Sequence, residues 1–275
     1  MSRYDYVALG HVACDTLGEG DAQREQPGGT AFYSALQAAR LGLRALILTQ
    51  GVPAQIEQLL APYSSEFDLH VIGAAATTTL ATRGEGAGRS QSLRSWAGAI
   101  VNPPTIATEI LHLAPIARET PTRRQADARF VGITPQGLVR DWSAGQIKAV
   151  QLDAALLPSR FDAAVISEHE QPYCAPLFAA AEACRGCVAV TAGARPANVH
   201  LGEGVVLSGA IPHPVAVSDD LGAGDVFAAA LFVALAEDQD PRAAVSFGHA
   251  AAAVRIAGVG PNAIGTRGQL QALLT

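Results

Sequence analysis

The chain has 275 residues, 49% hydrophobic and 16% charged, with 19 Lys and Arg against 25 Asp and Glu for a formal net charge of −6. This is too apolar and too weakly charged for a disordered chain, and the length favours one large α/β domain with a small appendage. The mildly acidic balance carries no electrostatic footprint for nucleic acid and no polybasic stretch for a membrane surface. The longest apolar runs, such as Phe227 to Ala236, fall far short of the roughly 20 residues of a spanning helix. The opening Met1-Ser-Arg-Tyr-Asp-Tyr-Val7 lacks the basic and apolar regions of a signal peptide, so a cytoplasmic location is expected.

Tyr6-Val-Ala-Leu-Gly10 is a short apolar run ending in glycine and predicts a buried first strand. Gly28-Gly29-Thr30 opens a helical pattern, with Phe32, Leu36 and Ala39 on one face, that runs to Leu41 and stops at Gly42. Ala45-Leu-Ile-Leu-Thr49 is the next strand. Strand, helix, strand argues for a parallel sheet covered by helices. The Thr-rich, alternating stretch from Thr77 to Val101, broken by Gly84, Gly86 and Gly88, predicts an antiparallel ribbon able to cover a site. Phe130 to Ile133, Ala163 to Ile166 and Cys187 to Val190 resume the buried-strand pattern, and Ala197 to Gly209 predicts a hairpin turning at Gly202 to Gly204. A helical stretch follows Asp225 as far as Glu237, and another begins at Pro241 and ends near Gly258.

Cys184-Arg-Gly-Cys187 has C-x-x-C spacing, but no second Cys or His pair with ligand spacing accompanies it. Small buried residues ahead of a strand account for it. His11 reads as a turn residue, and His249, Trp96 and Trp142 read as packing residues.

Gly222-Ala223-Gly224-Asp225 at the head of a helix carries the chemistry. Two glycines allow a tight turn and keep side chains away. The first free N–H groups of the helix point outward with partial positive charge, a ready site for phosphate. A carboxylate there is unfavourable unless it has a task, such as accepting a proton from an attacking hydroxyl. Phosphoryl transfer to an alcohol follows. On the tetrapeptide alone a plain turn, with Asp225 complementing the helix dipole, stands beside this reading. Neither a G-x-x-x-x-G-K-S/T loop nor the protein-kinase motifs are present, and Gly10-His-Val-Ala lacks the glycines of a dinucleotide fingerprint.

The segment Asp219-Asp-Leu-Gly-Ala-Gly-Asp225-Val-Phe227 resembles the second signature of the PfkB, or ribokinase-like, carbohydrate kinases, usually D-T-x-G-A-G-D-x-F. Gly28-Gly29-Thr-Ala-Phe-Tyr33-Ser-Ala35 followed by Ala39-Arg-Leu-Gly42 resembles the first signature. In the family's order stand Gly10-His-Val-Ala-Cys-Asp15, Ser167-Glu-His-Glu170 for N-x-x-E, Thr191-Ala-Gly193 for T-x-G, and Gly258-Val-Gly260-Pro-Asn262-Ala. The resemblance implies an α/β three-layer ribokinase-like fold with a mostly parallel central sheet and a small β flap. It implies a single domain over residues 1–275, with a reduced lid from about 16–27 and 77–101, which can mediate a homodimer. ATP and Mg²⁺ are the implied cofactors and a sugar or polyol the implied acceptor.

Position by position, the resemblance makes Asp225 the general base and Gly222, Ala223 and Gly224 the anion-hole amides. Asp15, Gly28 and Gly29 would bind substrate hydroxyls, Glu170 would place Mg²⁺ through water, and Thr191, Gly193 and Asn262 would line the nucleotide site alongside Gly222 and Gly224. Five departures stand out. Tyr33 replaces a sugar-binding Asn, which implies an altered or larger acceptor. Asp220 and Leu221 replace threonines near a monovalent-cation site, which puts activation by K⁺ in doubt. Ser167 replaces the Asn of N-x-x-E, and Pro196 a common nucleotide-loop glycine. Tyr33, Gly88-Arg89-Ser-Gln91 and Phe130-Val-Gly-Ile-Thr-Pro-Gln136-Gly137 are similar to a short branch that includes plant myo-inositol kinases, so a cyclitol is the expected acceptor, with Arg89 and Gln136 as contacts. A nucleoside kinase, with Tyr33 stacked on a base, and a ligand-binding regulator that has lost transfer are the alternatives.

Overall fold

The computed structural model describes residues 4–18, 23–84, 88–121, 128–143, 145–204, 206–208 and 214–274. Gly86 and Gly209, expected at the ribbon tip and the hairpin end, and residues 19–22 of the expected lid lie outside them. The chain opens with β1 (Tyr4–Leu9), β2 (Ala13–Leu17), β3 (Arg24–Gly28), α1 (Thr30–Arg40), β4 (Ala45–Gly51), α2 (Pro53–Leu60) and β5 (Asp68–Gly73). The middle holds β6 (Thr79–Arg83), β7 (Ser90–Ser95), β8 (Thr108–Leu113), β9 (Ala128–Ile133), β10 (Arg140–Asp141), β11 (Lys148–Ala149) and β12 (Ala163–Ser167). Then come α3 (Ala175–Cys184), β13 (Cys187–Ala192), β14 (Arg195–His200), β15 (Val206–Ser208), α4 (Ala223–Ala236), α5 (Pro241–Ile256) and α6 (Arg267–Ala272).

Nine strands form one sheet in the order β15-β14-β13-β12-β9-β8-β1-β4-β5. All neighbours from β12–β13 through to β4–β5 are parallel, and only the β13-β14-β15 end is antiparallel. The strands read as continuous apolar runs because both faces are covered. Tyr6, Ala8, Ala45, Ile47, Val165 and Ala189 point into one core with α1, α4 and α5. Their neighbours Val7, Leu9, Leu46, Leu48, Ile166 and Val188 point into a second core with α3 and the loops carrying Leu138, Leu152 and Phe161. Helix α4 is buried from Val226 through Ala234, as a helix apolar on every side must be.

Strand order reverses at β1, which lies between β4 and β8, and ligands of open α/β sheets bind at the carboxyl ends beside such a reversal. There the chain leaves the sheet at Gly10 and enters a second, four-stranded sheet, β3-β2-β6-β7. The expected ribbon over Thr77 to Val101 is β6 and β7, which pair antiparallel. It is half of this lid. The other half is the β2–β3 pair, with β2 parallel to β6. Asp15 therefore belongs to the lid sheet, beyond the end of the first strand. The β10–β11 hairpin clasps the lid: Leu93 N donates to Gly145 O (3.2 Å) and Ile147 N to Gln91 O (2.8 Å). Trp142 packs under the lid with Ile116 and Ala117, whereas Trp96, expected to pack, is 41% exposed and only tilts against Trp142. No described helix is long and apolar enough to cross a membrane.

Helix α4 crosses the sheet closely. A Cβ on Gly132 of β9 would lie 2.4 Å from two ring carbons of Phe232. Gly132→Ala is expected to cost roughly 1–3 kcal/mol through overpacking, measured as a lowered midpoint of urea unfolding with an unchanged slope.

Candidate active site

Two helix beginnings meet at the carboxyl end of the sheet. Helix α1 follows Gly29, whose φ of 90° is open to glycine, and α4 follows Gly222, whose φ is 80°. Neither start has a side-chain cap; Ala223 N donates to Asp220 O at 3.3 Å and Phe32 N to Gly29 O at 3.1 Å, and the remaining amides of the two first turns are left for other partners. Asp225 lies in the first turn of α4. Thr30, the first residue of α1, hydrogen-bonds the Asp225 carboxylate, and Ser34 Oγ donates to Asp225 O at 3.4 Å.

Asp15 comes to the same place from the lid. It is 3% exposed, and its carboxylate occupies the space that a Cβ on Gly28 would need, 2.1 Å from Oδ2. Asp15 Oδ1 is buried without a hydrogen-bond partner among the described residues. Burial pushes the Asp15 carboxyl up to about 7, with Arg140 acting against it and the charge of Asp225 adding to it. Burial likewise raises Asp225 to about 6, against the Thr30 hydrogen bond and the cation of Arg140. Arg140 begins β10. Its Nη1 donates to Ile116 O (3.1 Å) and its Nη2 to Gln91 Oε1 on the lid (2.9 Å), and it feels the charges of Glu170, Asp225, Asp15 and Glu119. Sequence reasoning missed Arg140, although it stands four residues after Gln136, directly behind the turn Pro135 to Val139.

Tyr33 is 1% exposed. A Cβ on Gly222 would lie 2.4 Å from its ring, the Arg255 guanidinium carbon is 5.8 Å from its centroid, and its hydroxyl accepts from Gln26 Nε2 at 3.3 Å. It is thus a buttress beneath the Gly222 turn. Arg89 pairs with Asp220. Both line a cleft of about 890 Å³ between the lid residues Leu17, Arg24 and Thr82 and the Val217 to Leu221 segment. Asp15 and Asp225 do not line it.

Glu170 and Thr191 sit at the ends of neighbouring parallel strands, with Ser167 opposite Thr191. Glu170 Oε2 accepts from Ser167 N (2.8 Å) and Ser167 Oγ (2.9 Å), so the serine orients this carboxylate. Gly193, with φ of 60°, makes the turn into β14. The charge of Glu170 reaches Asp225 and Arg140, which places it on the same side as the two carboxylates Asp15 and Asp225. Asn262 lies on the exposed turn after Gly260, where Arg40 Nη1 donates to its carbonyl oxygen at 3.1 Å. Gln136 is half-buried on the turn after β9. The four cysteines are free, and no cluster of three or more His, Cys, Asp or Glu able to hold a metal occurs among the described residues. His249 accepts from Ala197 N at 3.0 Å, a packing role. His11 is wholly buried, its Nδ1 paired with Thr78 Oγ1 at 2.8 Å.

The model of the pfkB family carbohydrate kinases matches residues 123–266, more than half of the chain. The chain belongs to that family of carbohydrate kinases. No curated protein sequence matches it. Among solved structures it is similar to a pyrophosphate-dependent kinase of the ribokinase family bound to a pyrophosphate analog and myo-inositol, at 18% identity over 97% of this chain and 99% of that one, TM-score 0.77. It is also similar to Arabidopsis thaliana ribokinase complexed with ribose and ATP, at 16% identity over 100% and 99%, TM-score 0.74. A nucleoside kinase from Methanocaldococcus jannaschii shares 15% identity over 98% of each chain, TM-score 0.68. These identities establish a common fold.

The raised Asp15 carboxyl has a consequence for stability. A folded-state value near 7 against an ordinary 3.8 means that the native chain binds the proton more tightly than the unfolded one. The penalty of burying the charge is complete above pH 7 and fades as pH falls toward 4. Asp15→Asn is expected to raise Tm at pH 8 relative to wild type, with the gain shrinking on acidification; scanning calorimetry across pH 4–8 checks this.

Proposed function

We propose that this kinase transfers the terminal phosphoryl group of ATP to a hydroxyl of a cyclitol or a similar small polyol. The observation that carries the proposal is Asp225: a carboxylate on the first turn of α4, next to the uncapped amides that follow Gly222, with its proton affinity raised to about 6. A base with such a value is ionised at neutral pH yet more basic than an ordinary carboxylate. Asp225 takes the proton of the attacking hydroxyl, and the amides of Gly222 and Gly224, joined by that of Ala223 when it exchanges its long bond to Asp220 O (3.3 Å) for the phosphoryl oxygen, receive the charge that develops on the transferring group.

Asp15 supplies the acceptor grip. A buried carboxylate oxygen without a donor calls for a hydroxyl, and a polyol has several. The free amide at Gly29 adds a second contact, and Gly28 leaves the room that the Asp15 carboxylate takes. Arg89, on the cleft, and Gln136 are further contacts at the acceptor end. Thr191, Gly193 and Asn262 line the donor side. Glu170, oriented by Ser167, fits a water-mediated magnesium site, since its Oε1 has no hydrogen-bond partner among the described residues. A magnesium ion held there would neutralise charge on the donor phosphates. The short branch that includes plant inositol kinases and the neighbour bound to myo-inositol both support a cyclitol. The ribokinase neighbour complexed with ATP supports the donor. Tyr33, buried between Arg255 and the Gly222 turn, offers little ring surface to a nucleoside base.

A panel of myo-inositol, ribose, fructose and inosine, each offered with ATP and then with pyrophosphate, tests the proposal by product formation. Transfer to myo-inositol from ATP is expected. Exclusive transfer to inosine, exclusive use of pyrophosphate, or nucleotide binding without transfer to any acceptor overturns it. Asp225→Asn is expected to lower turnover by about 10²–10⁴ with the fold retained. In wild type, kcat/KM falls as pH drops through the Asp225 value of about 6, because the base must be unprotonated, and a stopped assay over pH 5–8 reads that limb.

A further inference from the structure

Arg255 lies on the Ala-rich helix α5, yet no part of its side chain is exposed. An arginine leaves water only for strong partners. Its Nη1 donates to two main-chain carbonyls, Asp219 O at 3.2 Å and Gly258 O at 3.3 Å, and its Nη2 donates to Asp219 Oδ2 at 2.8 Å. Gly260 N donates to the same carboxylate oxygen at 2.9 Å. The usual arginine partner is one carboxylate gripped by both prongs. Here one carboxylate oxygen and two carbonyl oxygens, contributed by two separate loops, surround a single positive charge. Carbonyl and carboxylate oxygens converging in this way are the donor set of a hard cation.

We infer that the Arg255 guanidinium is a tethered replacement for a free monovalent cation beneath the anion loop, so that phosphoryl transfer by this chain is independent of potassium. The inference rests on the kinase mechanism proposed above. Arg255 is a positioning residue. It joins the segment entering the Gly222 turn to the closing Gly258–Gly260 segment, and its charge reaches Asp225 and the Tyr33 ring that props Gly222. The departures at Asp220 and Leu221 agree with it: Asp220 is engaged by Arg89, and Leu221 packs against the core.

The test compares wild type, Arg255→Ala and Arg255→Lys in chloride salts of tetramethylammonium, sodium, potassium and rubidium at matched ionic strength. Thermal unfolding without substrates and phosphoryl transfer are both measured. Wild type is expected to keep one Tm and one turnover in all four salts. Arg255→Ala in tetramethylammonium is expected to lose about 10²-fold in turnover, the weight of a misplaced oxyanion donor. Potassium, rubidium or added guanidinium should then raise both its Tm and its turnover. Arg255→Lys, which keeps the charge, is expected to remain indifferent to the salt. Potassium activation of wild type overturns the inference, as does a folded Arg255→Ala protein that responds alike to every cation. If Arg255→Ala does not fold in any salt, the salt series on wild type and Arg255→Lys decides. Absence of transfer to every acceptor would sink the kinase mechanism, whereas the Tm series would still report on Arg255.

Discussion

The site depends on a close approach that only glycine permits. Two helix starts, at Gly29 and Gly222, are brought to one point with no side chain of their own in between. The volume this frees is filled twice over: by the Asp15 carboxylate against Gly28 and by the Tyr33 ring against Gly222. Amides left unpaired by one chain reversal thus face a carboxylate delivered by another element. Neither helix could start so near the other with a larger residue at those turns.

The second requirement is electrical. Asp15 is buried and Asp225 half-buried, desolvation raises the proton affinity of both, and the charge of Asp225 raises that of Asp15 further. Such a pair survives because cations stand around it. Arg140 approaches from the lid side, bonded to Gln91, and Arg255 from below, bonded to Asp219. Removing one partner of a buried pair is far costlier than the pair is beneficial, so these arginines tie the surrounding loops together around the two carboxylates. Glu119 plays the equivalent part for the chain entering the lid, its carboxylate accepting from His11, Ile116 and Ala117 amides.

The parallel core was legible because its strands are uninterrupted apolar runs, and α1 and α4 because glycine punctuates their starts. The Gly222-to-Asp225 turn announced its chemistry through residue type and position together. Other parts were silent for physical reasons. The strands β2 and β3 carry Cys14, Thr16, Glu25 and Pro27 and show no alternation in sequence, since their order comes from pairing, β3 with β2 and β2 with β6. Arg140 and Arg255 were missed because an isolated arginine looks like surface; its meaning lies chiefly in oxygens far along the chain, on Gln91 and Ile116 for Arg140 and on Asp219 for Arg255. An arginine inside the Ala-rich run of α5 was the available clue, since a charge seldom enters such a helix without a partner. For Tyr33, sequence could not say which way the ring turns, and the structure packs it against the Gly222 turn.

The lid has a further property. Sheets with bare margins invite pairing with foreign strands. On one side of this lid, β7 is already occupied by backbone bonds from residues 145–147. On the other, β3 presents Arg24 and Glu25 on its exposed stretch and Pro27 near its end, so it offers two charges and one residue that cannot donate. The four-stranded sheet can therefore carry the polar residue Asp15 beside Asp225 while resisting fibrous self-association, a hazard that a small β layer otherwise carries.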